Sequence, residues 1–295
     1  MKTAFVKLHI AVFLAGFTGI LGRLITLNEG LLVWYRLLFS AVTLWAFFGW
    51  QKKVERIPLV MIGAITATGL IAALHWVTFY ASIKYANVSV ALVCFSALGF
   101  FTAIFEPLIL RKKPVLPEIL LGLLVILGIA IIFHFDPRYK LGIGIGLVSS
   151  VLAAIFPVLN RQLLRYVSVE TLTTYELTGG FLTLSILLPF YLHFFPVATI
   201  LPGWQDLGWL LFLSWFCTVW AFQLSAYALK YISAFTVNLS YNLEPVYGIL
   251  LAFFVYQENR YLSWNFYIGL ALIVLAVSLQ MVRVYRKNQV ARFNP

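Results

Sequence analysis

The chain has 295 residues, 62% of them hydrophobic and only 11% charged, whereas an ordinary soluble domain is ~45–50% apolar and ~25% charged. Ten membrane spans of ~20 residues would use about 200 positions and leave roughly 95 for loops and tails, which excludes a large soluble domain, and Cys94 and Cys217 sit inside apolar runs, which excludes a secreted disulfide scaffold. The 21 Lys and Arg against 10 Asp and Glu give a net charge of +11, which fits either nucleic acid binding or membrane topology, depending on how it is distributed.

In chain order, apolar runs long enough to cross a bilayer fall near residues 5–22, 30–50, 57–80, 86–110, 116–135, 141–160, 170–192, 205–229, 233–256 and 264–284. The first follows Lys2 and Lys7 in the manner of a signal peptide, but no small-x-small cleavage site closes it, so an uncleaved first helix is expected. Lys52, Lys53, Glu55, Arg56 and Pro58 separate the second run from the third, and Arg111, Lys112, Lys113, Pro114 and Pro117 separate the fourth from the fifth. Asp136, Pro137, Arg138 and Lys140 end the fifth. Lys84 and Lys230 are single charges that must each mark a tight turn. The runs are continuously apolar and too long for the ~10-residue alternating strands of a β-barrel.

With ten spans and the N-terminus inside, fifteen of the 21 basic residues fall on cytoplasmic segments. Five (Arg23, Lys84, Arg138, Lys140 and Arg260) fall on the opposite side, and Arg36 lies within a span. This positive-inside bias places both termini in the cytoplasm. Spread over six short segments, the excess forms no basic domain, so nucleic acid is not an expected partner. The bilayer is.

The halves of the chain resemble each other. Phe79-Tyr80-Ala81 with Lys84-Tyr85 recurs as Ala226-Tyr227-Ala228 with Lys230-Tyr231, and Leu121-Gly122-Leu123 as Ile268-Gly269-Leu270. Tyr35-Arg36 corresponds to Tyr175-Glu176, and Gly22-Arg23 to Asn160-Arg161. A repeat of five spans is odd-numbered, so the second copy re-enters the membrane from the other side. The expected fold is an all-α integral membrane protein of ten helices in two inverted five-helix repeats, residues 1–138 and 139–288, with a cytoplasmic tail at 289–295. Inverted repeats are typical of secondary transporters that work by alternating access, with the solute site near mid-membrane between the halves.

Leu243-Glu244-Pro245-Val246, the apolar stretch after it, Gln257-Glu258-Asn259 and Gly269 together resemble the second-half signature of EamA-type proteins, a branch of the drug/metabolite transporter superfamily. The resemblance covers essentially the whole chain. It implies ten helices in two repeats, and export or exchange of small metabolites across the inner membrane, amino acids and drug-like solutes included. The first half departs from the pattern, with Leu98 opposite Pro245 and Arg111 opposite Glu258.

Ionisable residues inside a bilayer are costly and mark function or structure. Glu244 lies about 16 Å into its span, close to the middle of a ~30 Å core. Pro245 supplies no N–H to the carbonyl of Tyr241, and Thr236, Asn238, Ser240, Tyr241 and Asn242 make the approach unusually polar. A substrate site on a broken helix and a structural kink anchored by Glu244 both fit this pattern. Protons are a candidate coupling ion. Arg36, roughly 9 Å deep, either snorkels outward or shares a pair or polar pocket with Glu244, where its guanidinium would suit a carboxylate-bearing solute. Glu176, its repeat counterpart, is a gating or structural residue that would pair with inner-side bases, and Pro245 is placed in the same class. His75 with Trp76, and Gln223 with Tyr227, are further candidate substrate contacts; interfacial packing and inter-helical bonding are the plainer alternatives. Among the aromatics, Trp34, Trp50, Trp204, Trp209 and Trp264 suit interfacial belts, while Trp220, Tyr241 and Tyr247 lie centrally. Gly142, Gly144 and Gly146 suit close helix packing better than a nucleotide loop.

No catalytic residue, metal or cofactor is expected, because four scattered His and two Cys offer no HExxH pair or nucleophile–base pairing. The expected function is secondary transport of small organic solutes by a monomer or homodimer. A membrane-embedded lipid-modifying enzyme or a lipid-intermediate flippase is the alternative.

Overall fold

A computed structural model describes residues 2–133, 139–241, 243–260 and 262–293. Among these residues every regular element is helical. In a bilayer a single helix satisfies its own backbone groups, and an apolar run therefore becomes one.

Helix α1 (Lys2–Gly16) and α2 (Thr18–Leu24) form one span broken at Phe17, and α3 (Glu29–Leu44) continues through a wide π turn at Trp45–Gly49. Helices α4 (Leu59–Tyr85), α5 (Val88–Phe95), α6 (Leu98–Leu110) and α7 (Leu116–Phe133) complete the first half. The second contains α8 (Lys140–Leu163), α9 (Val169–Phe194), α10 (Trp204–Ser214) with a π turn at Trp215–Trp220, α11 (Ala221–Tyr231), α12 (Ala234–Tyr241), α13 (Glu244–Tyr256) and α14 (Trp264–Phe293). Among the described residues, seven helical segments are long and apolar enough to cross a membrane, and three apolar helices, Leu116–Ile132, Glu244–Tyr256 and Trp264–Ala276, are shorter. The chain is a multi-pass integral membrane protein. The expected boundary residues Asp136, Pro137 and Arg138 lie outside the described residues.

Single polar residues set the tight starts. The Asn28, Asn87 and Ser168 side chains accept from the backbone N–H of Leu31, Val90 and Thr171 and so cap α3, α5 and α9. Lys84, the charge expected to mark a tight turn, stands in the last turn of α4 just before the short link to α5, and it donates to the carbonyl of Leu27.

Helix α4 is the hub, packed along α8 and α9, while α7 lies along α14. Lipid gives no hydrophobic drive for helices to associate, so close approach through small residues has to do it. A Cβ at Gly69 of α4 would lie 2.1 Å from the carbonyl oxygen of Glu176 on α9, and one at Gly269 of α14 would lie 2.4 Å from that of Gly128 on α7. Gly142 and Gly146 pack in the same way against Ala86 and Cys94, but Gly144 faces open space. Four residues make just over one helical turn, which puts 142 and 146 on one face and 144 on another.

The two halves share local detail. An eight-residue helix, α5 or α12, is followed by a thirteen-residue helix, α6 or α13. Each of the latter ends on a left-handed residue, Arg111 (φ 51°) or Gln257 (φ 53°). Those endpoints set Arg111 opposite Gln257 and Leu98 opposite Glu244, one residue away from the correspondence expected in the sequence.

Candidate functional site

The breaks at Phe17 and between α12 and α13 lie on one cavity of about 90 Å³, walled by α1–α6, α8, the Trp215–Trp220 turn, and α11–α13. That is ample for more than a single water. Its walls are mostly apolar and aromatic, from Trp76, Phe79, Phe95, Phe156 and Phe222, with a few polar groups set among them.

Glu244 opens α13, with Pro245 in the first helical turn, where proline's missing N–H costs nothing and a carboxylate meets the positive end of the helix dipole. Glu244 is 6% exposed, and its Oε1 lies 3.3 Å from the Thr18 hydroxyl at the start of α2. Two broken helices therefore meet at one carboxylate.

Arg36, buried on α3, does not ion-pair with Glu244. Its Nε donates to Thr218 Oγ1 at 2.6 Å, Nη1 to the Tyr80 hydroxyl at 2.9 Å, and Nη2 to the Cys217 carbonyl at 3.4 Å. Its Cζ lies 3.8 Å from the centre of the Trp76 ring. The π turn supplies two of these acceptors: Thr218 points its own proton at the carbonyl of Leu213, five residues back, so its oxygen is left to accept. Of the two arrangements expected for Arg36 and Glu244, the shared pocket is present and the direct pair is not. Snorkelling is excluded by burial at 3% exposure.

His75 and Trp76 line the cavity. His75 stacks between Phe95 and Phe156, at centroid distances of 5.6 and 6.1 Å. Its Nδ1 lies 3.0 Å from the Ser149 carbonyl and 2.8 Å from the Ser149 hydroxyl, whose proton is directed to the carbonyl of His75. Nδ1 is thus the donor, and Nε2 of the neutral ring is an acceptor.

Asn238 and Tyr241 of α12 also line the cavity. Asn238 donates to Thr102 Oγ1 at 2.9 Å, and the Tyr241 hydroxyl lies 2.5 Å from Ser225 Oγ. Asn242 lies outside the described residues.

Three expectations need correction. Gln223 and Tyr227 are not on the wall: Gln223 donates to Thr173 on α9, and the Tyr227 ring lies under Lys7 Nζ at 3.5 Å. The wall stripe of α11 is Phe222, Ser225, Ala226 and Leu229, which follows the helical period, with Gln223 and Tyr227 on the neighbouring stripe. Glu176 is fully buried behind the wall and pairs with Asn160 rather than with an inner-side base; both its oxygens accept from Asn160 Nδ2 at 2.9 Å. Of the central aromatics, Tyr241 lines the cavity, Trp220 is 60% exposed on the outer surface, and Tyr247 packs edge-on against Phe13.

Asn160, Ser225, Thr18 and the Arg36 partners Tyr80 and Thr218 are site residues that the sequence does not single out. An asparagine deep in an apolar run was the available signal for Asn160; nothing local marks the others.

The sequence pattern of the EamA-like transporter family matches residues 3–134 and 140–282. An uncharacterized transporter of Archaeoglobus fulgidus is 25% identical over 240 residues, covering 77% of this chain and 80% of its own length. A crystal structure at 16% identity superposes over 97% of this chain and 99% of its own, with a TM-score of 0.70, and at that identity it speaks to the fold alone. The chain belongs to the EamA-like transporter family, and it is a multi-pass membrane transporter.

Proposed function

We propose that the chain is a secondary active transporter that moves small organic solutes, amino acids or other metabolites or drug-like compounds, across the inner membrane by alternating access, as an exporter or exchanger. In this reading ten spans form two inverted five-helix repeats, residues 1–138 and 139–288, with both termini and the 289–295 tail in the cytoplasm. The positive-inside count supports that orientation.

The observation that carries the reading is the cavity itself. It is lined from both halves, by Arg36, His75 and Trp76 on one side and Asn160, Tyr241 and Glu244 on the other, and it sits where the helices are interrupted. Interrupted helices at mid-membrane give a transporter a polar site between two bodies that can rock against each other. Aromatic walls with few polar groups suit a compact solute with an apolar body. Arg36, His75, Trp76, Asn238, Tyr241, Asn242 and Glu244 are assigned to solute binding, Pro245 to the hinge and Glu176 to support. Gln223 and Tyr227 are left out, because they face other helices.

The test is uptake and counterflow in proteoliposomes, with and without a pH gradient, over amino acids and aromatic metabolites. Counterflow of at least one solute class is expected, with Glu244→Gln slowing it about tenfold or more. Turnover of a lipid with no solute flux would remove the reading, and unchanged flux and pH response in Glu244→Gln would remove the carboxylate from it.

A further inference from the structure

We propose that Asn160 is the residue by which the cavity recognises an N–H group of its solute: the amide, clamped by Glu176, presents Oδ1 as acceptor to an ammonium carried on a compact aromatic body. The proposal rests on the reading of this cavity as the solute site.

Asn160 lines the cavity on α8 and is 2% exposed. Its two ends are used unequally. Nδ2 lies 2.9 Å from each Glu176 carboxyl oxygen, while Oδ1 is buried with no partner in the protein. A buried acceptor left unpaired costs about 1–3 kcal/mol. Turning the amide over would set Oδ1 against the two oxygens of a Glu176 carboxylate, so the carboxylate holds Nδ2 toward itself and leaves Oδ1 as the unpaired end. The backbone of Glu176 is packed closely where α9 crosses α4, with no room for a Cβ at Gly69 beside its carbonyl. The orphan acceptor is thus held in place.

The other polar groups on the wall are partly engaged within the protein. Three Arg36 nitrogens donate to Thr218, Tyr80 and Cys217, and Asn238 donates to Thr102. Each of these bonds uses one N–H of its nitrogen. Besides Oδ1 of Asn160, the acceptors on the wall are Nε2 of His75 and the carboxyl of Glu244. Phe156 and Phe222 stack with centroids 6.1 Å apart, and aromatic faces add their own attraction for a cation.

Phenethylamine and its N-methyl, N,N-dimethyl and N,N,N-trimethyl derivatives separate hydrogen bonding from size. Only the last methyl removes the last N–H. Titrated into the purified full-length protein by calorimetry, wild type is expected to lose about tenfold or more in affinity at that last step, the worth of one charge-assisted hydrogen bond. In Asn160→Leu with Glu176→Leu, which replaces both partners by apolar groups of similar size and so strands neither, the last step should shrink below about threefold. Glu176→Gln is the second variant. Its amide accepts either end of Asn160, so the step should fall at least severalfold with every side chain still paired. Absent binding of phenethylamine to wild type, a smooth decline over the methyl series, or an undiminished last step in the variants would each overturn the proposal. Counterflow separates the two readings. Intact binding selectivity without solute flux removes transport and leaves Asn160 standing, whereas flux with no selectivity step removes Asn160 alone.

Discussion

Arg23 Nη1 donates to Glu258 Oε1 at 2.6 Å, joining α2 to the turn that follows α13. The same carboxyl group accepts from the N–H groups of Val88 and Ser89, at 3.3 and 3.0 Å, and from Ser89 Oγ at 2.5 Å. Glu258 therefore caps α5 of the other half rather than its own span, and it holds three elements at one point. Its side chain is 5% exposed against 44% for Arg23. The capping arm is the better protected of the two, so Arg23→Ala should cost about 1 kcal/mol or less. Glu258→Ala should cost about 2–3 kcal/mol, since it also strands two backbone N–H groups. Thermal unfolding in detergent checks the order, and equal costs would contradict it.

Arg36 is fixed by geometry that lysine cannot reproduce. Its planar fork reaches Thr218, Tyr80 and Cys217 together while its face covers Trp76. A lysine ammonium is a point charge without that fork. Arg36→Lys should therefore lose tenfold or more in solute affinity and lower the unfolding midpoint, both measurable on the purified protein. Wild-type affinity in that variant would mean the charge alone matters.

Substitution of the glycines near the start of α8 should separate by face. Gly144→Ala meets nothing within 4 Å and should stabilise the helix by about 0.5–1 kcal/mol. Gly146→Ala would place its Cβ 2.8 Å from both Cys94 Cβ and Ser82 Oγ, and should destabilise by about 1–3 kcal/mol. Gly269→Leu, at 2.4 Å from the carbonyl of Gly128, should abolish most of the folded yield, read by size-exclusion chromatography in detergent.

Pro245 stands in the first turn of α13 beside the break. Pro245→Ala restores an N–H and lets the helix run on toward Tyr241. If the break is a hinge, exchange should slow severalfold while equilibrium affinity stays within about twofold. Counterflow kinetics alongside calorimetry read the two separately, and a loss of affinity at unchanged rate would assign Pro245 to the site instead.

Much of this was legible in the residues. Apolar runs and their charged boundaries located the helices, because a bilayer leaves few alternatives to a helix for an apolar segment. Pro245 beside Glu244 located the central break. Arg36 and Glu244 stand out in the sequence as charges within spans, with a shared pocket as one of the arrangements open to them, but their partners do not, since Thr218 and Cys217 reach Arg36 only through a π turn that no residue announces. Gln223 and Tyr227 drew attention by their polarity and turned out to face away from the cavity. Sequence gives the stripes of a helix; packing decides which stripe faces inward.

The 62% hydrophobic content, gathered into long apolar runs, determined by itself that this chain lives in a membrane, and the Leu243–Val246 run pointed to its family. Only the tertiary structure decided that Asn160, used in the sequence merely to mark the repeat, lines the cavity with an amide oxygen that is buried and has no partner in the protein. The physical reason is that a hydrogen bond depends on distance and direction between helices remote in sequence, and α9 reaches α8 with Glu176 placed so that both its carboxyl oxygens accept from the Asn160 amide nitrogen.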